Sequence, residues 1–289
     1  MSIQTLTHDF FKEHQKTLQE FYAGLTERRV IADFVDFVAP YPITSNNIDH
    51  YFLGKMKAYY ESYLEELLKG KPLEYITGKA YFNELILEVN SDVLIPRQET
   101  EILVSECLKR IRENKSKSIL DLGTGSGAIA LALSYELNEA LDRLIVATDI
   151  SEKALVVAKN NYQKLRYCLQ QKVEFYQSDL FSNIEGGFDF IISNPPYIKR
   201  EKDRKLVHDQ VANHEPSIAL FIEDEEYDEW FLRLFSDVYS RLNAHGCFMM
   251  EGHENHLKKQ YEMMQKIGFK SVNIIQDLTG SDRFLFGRK

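Results

Sequence analysis

Ser193-Asn194-Pro195-Pro196-Tyr197 closes the apolar run FDFIIS, and its residue types suit a grip on a planar NH₂ group. Two prolines stiffen the backbone as it leaves a buried strand and remove two N–H donors, so nearby carbonyls point outward with fixed aim. Asn194 adds a side-chain carbonyl acceptor and Tyr197 an aromatic face. Two acceptors can take the two amine protons while the ring packs on the amide plane. Methyl transfer to an amide or exocyclic amine needs such help, because the nitrogen lone pair is delocalised. Hydrogen-bonding both protons aligns the nitrogen with an electrophilic methyl. No strong base is needed beforehand, since the proton becomes acidic once the methyl has moved. Taken alone, the motif also reads as a strand-ending turn.

A second constellation runs from Ile119 through Asp121 to Gly127 and opens a helix. Glycines alternate at Gly123, Gly125 and Gly127, with Thr124 and Ser126 between them. Such a backbone turns sharply and approaches a ligand without Cβ clashes. The helix N-terminus then presents free N–H groups to the crevice at the carboxyl ends of the strands. The spacing is not that of a dinucleotide loop, and the acidic Asp121 directly before it would repel a pyrophosphate. Asp149 ends the next strand, where a carboxylate can accept from both hydroxyls of a ribose. An acidic strand end beside the loop suits a cationic adenosine ligand, S-adenosylmethionine, better than a dinucleotide. The bland alternative is a tight strand–helix turn with a capping Asp.

The elements that must position these residues follow from periodicity. Apolar positions from Leu18 to Val38 recur at three- and four-residue spacing and read as helix, broken by Pro40 and Pro42. A second helical stretch follows the capping residues Asn46 and Asn47 and stops near Gly70 and Pro72. The segment KAYFNELILEVNSDVLIP alternates apolar and polar residues and reads as one or two strands. From Lys117 onward strands alternate with helices, which implies a parallel sheet covered on both faces. VNIIQ and RFLFGR close it with an antiparallel hairpin.

Composition narrows the class. The chain has 289 residues, enough for two domains, and 44% hydrophobic with 27% charged residues is the globular range. Lys and Arg number 35 against 44 Asp and Glu, a net charge of −9. That balance gives no whole-surface attraction to phosphates, so a nucleic-acid substrate is disfavoured. The three cysteines are widely spaced, with neither a disulfide framework nor a metal knuckle, and fit a reducing cytoplasm. No signal pattern opens the chain, and no apolar run nears the ~18 residues of a membrane span. A protein of the cytoplasm, away from membranes, is expected.

Residues 72–289 resemble the peptide-chain release factor glutamine methyltransferase family. The matching segments are PLEYITG (72–78), YFNELILEVNSDVLIPRQETE (81–101), DLGTGSGAIALAL (121–133), SDLF (178–181), SNPPYI (193–198), HEPSIALF (214–221) and DLTGSDRFLFGR (277–288). The NPPY motif alone is shared with enzymes that methylate DNA and RNA bases; its combination with IPRxETE and a helical N-terminal region points to this family. The resemblance implies an α/β fold with a Rossmann-like seven-stranded methyltransferase sheet, a small N-terminal helical domain and a β-hairpin linker. The expected boundaries are 1–72 for the helical substrate-recognition domain, 73–98 for the linker and 99–289 for the methyltransferase domain. It assigns Gly123 to Gly127, Asp149 and Asn194 to S-adenosylmethionine, with Asp179 and Leu180 near its adenine. Asn194, Pro195, Pro196 and Tyr197 would hold the substrate glutamine, and Arg97, Thr100 and Glu101 would line the same pocket. The implied partner is a class I release factor, methylated on the glutamine of its Gly-Gly-Gln motif by a monomer that needs no metal. Three departures stand out: Gln98 in place of a usual proline, Leu180 where some relatives place an aromatic, and no glycine in IEDEEYDEW.

Two other readings compete. A base-amine methyltransferase would share NPPY, although it would more often show a basic face. The cations of 199–205 are interleaved with acids but could touch a partner. A cofactor-binding protein without turnover would not need the amide-gripping residues. His253 and His256 near Glu251 read as a solvated strand-to-helix connection rather than metal ligands. Glu223 to Glu226 reads as a solvated acidic loop, Cys107 and Cys168 as packing or surface residues. The N-terminal aromatics Phe10, Phe11, Phe21, Tyr22, Phe34 and Phe37 read as core.

Overall fold

Alternate residues of the central strands pack on opposite faces of one sheet, as buried strands between two helical layers must. The computed structural model describes residues 2–38, 56–138 and 142–289. A hairpin of β1 (Lys79–Phe82) and β2 (Leu85–Glu88) comes first. The sheet strands are β3 (Ser118–Leu122), β4 (Leu144–Asp149), β5 (Lys172–Gln177), β6 (Phe188–Ser193), β9 (Leu242–Glu251), β10 (Lys270–Gln276) and β11 (Asp282–Arg288). Between β6 and β9, the two-residue strands β7 (Ile198–Lys199) and β8 (Phe221–Ile222) form a small parallel pair. The seven-stranded order is β10-β11-β9-β6-β3-β4-β5. Neighbours from β9 to β5 are parallel, and β11 is antiparallel to both β9 and β10.

Ile119, Ile145, Phe190, Ile192 and Met249 face one core, with the helices Gln98–Asn114 and Ala128–Glu136 over it. Leu120, Leu122, Val146, Ile191 and Phe248 face the other, beneath the helices Tyr227–Arg241 and Glu254–Ile267. The chain leaves β3 toward β4 and β5, then returns across β3 to β6 and continues toward β9. The switch between the two directions lies between β3 and β6, where α/β sheets open their ligand crevice.

By internal contacts the chain divides into two units, Met1–Lys79 with His208–His214, and Ala80–Val207 with Glu215–Lys289. The first unit is helical. Its helices Ile3–Phe21, Glu27–Val38 and Lys57–Leu68 share a core of Ile3, Leu18, Val30, Phe34, Tyr60 and Leu67. Tyr22 and Phe34 are buried and Phe10, Phe11 and Phe21 pack partly against that core, while the Phe37 side chain lies outside the described residues. The apolar rhythm from Leu18 to Val38 is not one helix. Gly24 turns left-handed (φ +79°) and the Thr26 hydroxyl accepts from the Arg29 N–H at 3.2 Å, which caps a new start. The expected breaks at Pro40 and Pro42 and the caps at Asn46 and Asn47 lie outside the described residues.

Candidate active site

Strand register brings four loops to one edge. Leu122 lies opposite both Thr148 and Ser193, so Gly123 and Asn194 leave adjacent strand ends at the same height. The Ser193 hydroxyl donates to the Leu122 carbonyl at 2.7 Å and pins this juncture. The N–H groups of Gly123 and Thr124 both donate to the Thr148 carbonyl, at 2.9 and 2.8 Å. Asp149 follows, and its carboxylate accepts from the N–H of Gly125 (2.8 Å) and of Ser151 (2.9 Å). The Ser178 N–H donates to the Asp149 carbonyl, which brings Asp179 and Leu180 beside it. Leu180 takes a left-handed conformation (φ 48°), uncommon for a branched residue and typical of a site over-determined by its surroundings.

A cavity of about 350 Å³ opens over these ends, within the ~300–1,000 Å³ range of small-molecule sites. Gly123 to Ser126, Asp149, Asp179, Leu180 and Asn194 to Pro196 line it. A Cβ on Gly125 would meet no protein atom within 4 Å, so the loop backbone faces open space. Gly127 is different: a Cβ there would lie 3.2 Å from Leu131 and 3.3 Å from Ala158. Its role is close packing of the helix start. Asn161 fastens the arrangement from behind, donating to the Ser126 carbonyl and holding Glu88 of β2 by its N–H and carbonyl. Ribose hydroxyls can find the remaining lone pairs of Asp149, and the bare glycine backbone admits a close ligand. The residues present fit an adenosine-type cofactor with a cationic centre.

Asp121 departs from its expected role. It is buried and absent from the cavity wall, and its Oδ2 accepts from the Thr124 hydroxyl at 2.6 Å and the Ala130 N–H at 3.1 Å. It organises the loop from beneath. Burial pushes its carboxyl up to about 7, and of the two acids Asp149 is the one that faces the cavity.

Asn194 is held by two layers of partners. Its Nδ2 donates to Thr100 Oγ1 at 3.0 Å, and the Thr100 hydroxyl donates to Glu251 Oε2 at 2.7 Å. The Tyr197 hydroxyl donates to Glu251 Oε1 at 2.9 Å, and the Tyr197 carbonyl accepts from the Tyr227 hydroxyl at 2.9 Å. Burial pushes the Tyr197 phenol well above its ordinary value, and the Glu251 charge adds to that, so it stays a donor. Burial also pushes the Glu251 carboxyl up, against the pull of its bonds to Thr100 and Tyr197. Tyr197 is not among the cavity-lining residues, and its partly buried ring packs against the core beneath the motif. The expected ring-on-amide contact is corrected to an anchoring role.

The IPRxETE residues also separate. Arg97 lines the cavity and pairs with Glu215, which is buried and also accepts from the Ile95 N–H at 3.1 Å. Glu101 lies one residue, about 100°, further round the helix than Thr100 and turns away. Its Oε1 accepts from the Asn83 N–H of the hairpin at 2.9 Å, so its expected place in the pocket is corrected. β7 pairs with β8, and the apolar residues Pro216, Ile218, Phe221, Ile222, Trp230 and Leu234 line the cavity as well. Glu223 and Glu226 are exposed, as a solvated acidic run would be, and both also line the cavity, Glu223 pairing with Arg200. The two histidines are not simply solvated either. His253 caps the helix Glu254–Ile267, and half-buried His256 bonds Asp203 at 2.7 Å. Nothing in the sequence singled out Glu251, Asn161 or Trp230 for the site; the matching segment HEPSIALF contains Glu215 and four cavity-lining residues, Pro216, Ile218, Ala219 and Phe221.

A sheet of this order, with a glycine loop at its switch point and an acid at the next strand end, defines a Rossmann-like methyltransferase. Residues 98–217 match the methyltransferase small domain. Solved structures share the fold. A methyltransferase from Pyrococcus furiosus superposes with a TM-score of 0.50 at 20% identity, over 70% of this chain and 88% of that one. The T. Thermophilus 16S rRNA N2 G1207 methyltransferase, solved with AdoMet and guanosine, gives 0.52 at 16% identity, over 73% and 49%. Sequence relatives are closer. The chain is 33% identical over 231 residues to the release factor glutamine methyltransferase of Flavobacterium psychrophilum, spanning 78% of each. With the enzyme of the same name from Haemophilus influenzae it shares 35% over 234 residues, again 78% of each. With that of Lactococcus lactis subsp. lactis it shares 37% over 222 residues, 76% of this chain and 78% of the other. The chain belongs to the release factor glutamine methyltransferase family.

Proposed function

We propose that this chain methylates the side-chain amide nitrogen of the glutamine in the Gly-Gly-Gln motif of class I release factors, in the cytoplasm, using S-adenosylmethionine. The observation that carries the reading is Asn194 at the end of β6, beside the glycine loop, with its NH₂ group committed to Thr100. That leaves the Asn194 carbonyl as the group to meet a substrate in the cavity it lines. Gly123 to Ser126 and Asp149 hold the cofactor above the helix start that Gly127 packs, with Asp179 and Leu180 beside its adenine and Arg97 at the cavity wall. Bound there, S-adenosylmethionine supplies an electrophilic methyl on a sulfonium. The Asn194 and Pro195 carbonyls accept the two amide protons and aim the nitrogen, and the rigid Pro195-Pro196 step fixes their direction. The helical unit, built round a core of its own, recognises the folded factor. The net charge of −9 sets the chain apart from a nucleic-acid enzyme.

Asn194→Ala tests the reading. Removing one preorganised electrostatic partner typically costs about 10²–10³ in rate. The variant should keep S-adenosylmethionine binding within a few-fold and lose most methyl transfer to a release factor. Asn194→Asp keeps an acceptor of the same size but misplaces charge once the sulfonium is discharged, and should also turn over slowly. A wild-type rate for Asn194→Ala would reduce Asn194 to a turn residue.

A further inference from the structure

Glu251 ends β9 next to Asn194. Met250 lies opposite Ser193, so Glu251 and Asn194 leave neighbouring strand ends in step. Both oxygens of this buried side chain are occupied, Oε2 by the Thr100 hydroxyl and Oε1 by the Tyr197 hydroxyl. A carboxylate accepts only, so each hydroxyl must commit its single proton to it. Thr100 Oγ1 then has nothing but lone pairs to offer Asn194. An NH₂ group can meet those lone pairs at 3.0 Å, as the Asn194 Nδ2 does; a carbonyl cannot. The Asn194 amide is thereby held one way round.

We propose that Glu251 is a positioning residue for methyl transfer, fixing through Thr100 which end of the Asn194 amide faces the substrate. The inference rests on the reading of Asn194 as the amide-gripping residue. Turned over, Asn194 would present N–H groups to the N–H groups of the target amide, two donors with no acceptor between them. Proton direction therefore runs from Asn194 to Thr100 to Glu251, away from the substrate, and Tyr197 secures the other oxygen so that the carboxylate cannot rotate. A glutamine at 251 offers one acceptor and one donor. It can satisfy only one hydroxyl as a carboxylate does, and no longer dictates the direction at Thr100.

The test is a double-mutant cycle on the full-length enzyme with a release factor as acceptor. Thr100→Val and Glu251→Gln should each lower kcat at least tenfold, with the KM for the factor and the affinity for S-adenosylmethionine within twofold of wild type. Thr100→Ser keeps the hydroxyl and should restore kcat to within threefold. In an Asn194→Ala background, Thr100→Val and Glu251→Gln should cost less than a further twofold, because the group they position is gone. A full loss that persists in that background overturns the proposal in favour of a general structural role. Wild-type kcat in Glu251→Gln or Thr100→Val, with Asn194→Ala impaired, overturns this inference and leaves the amide grip standing. A wild-type rate for Asn194→Ala overturns both.

Discussion

At the residue scale the site works by sharing out hydrogen-bond capacity. Asp149 takes backbone N–H groups on both oxygens, from Gly125 and Ser151, and lines the cavity with the lone pairs that remain. Its removal should therefore loosen the loop and delete the ribose acceptors together. Each bond to a charged group is worth roughly 1.5–3 kcal/mol, so Asp149→Ala should bind S-adenosylmethionine at least tenfold more weakly. Calorimetry on a variant of native melting behaviour reads this directly, and undiminished affinity would contradict the assignment. Asp121 makes a different prediction. Its carboxyl is raised from an ordinary 3.8 to about 7 by burial, so the folded state holds the proton more tightly than the unfolded one. The stability that this gives is complete below about pH 4 and is lost as pH rises through about 7. Asp121→Asn keeps an oxygen for Thr124 and Ala130 but has no proton to lose. Relative to wild type it should gain stability steadily over that window and level off above it. Parallel unfolding free energies from low to neutral pH would show that Asp121 does not carry the raised carboxyl.

Elements decide which of these residues meet. Gly127 starts the helix Ala128–Glu136 in the left-handed region (φ +86°), against Leu131 and Ala158. An L-residue there costs about 1–2 kcal/mol in backbone strain alone. Gly127→Ala should lower stability by at least that and weaken cofactor binding, since the loop moves with the helix; denaturant midpoints and calorimetry check both. A variant as stable as wild type would mean that the turn relaxes without cost. The loop, Asp149 and NPPY were legible in the sequence because each is a local pattern whose chemistry depends on neighbours in the chain. Alternating strands and helices from Lys117 likewise announced a sheet covered on both faces. Glu251 was not legible: it is one acid at the end of LNAHGCFMME, and only the β6–β9 register sets it beside Asn194. Thr100 and Glu101 looked equivalent in IPRxETE, yet a helix turns successive residues apart, and the two carry unrelated bonds. The break at Gly24 was hidden by apolar spacing that two packed helices share with one.

The whole molecule carries a methyltransferase sheet and a helical unit with its own core in one chain of net charge −9. A nucleic-acid enzyme has to gather cations for phosphates; here the acids outnumber them. Among the described residues no helix is long and apolar enough to cross a membrane. The acceptor we propose is a glutamine amide on a folded release factor. Incubating the enzyme with labelled S-adenosylmethionine and, in parallel, an intact class I release factor, tRNA, ribosomal RNA and duplex DNA, then mapping the labelled peptide by mass spectrometry, identifies that acceptor. The expected result is one methyl group on the glutamine of the Gly-Gly-Gln motif and no label in the nucleic acids. Label in a nucleic acid with an unmodified release factor would contradict it.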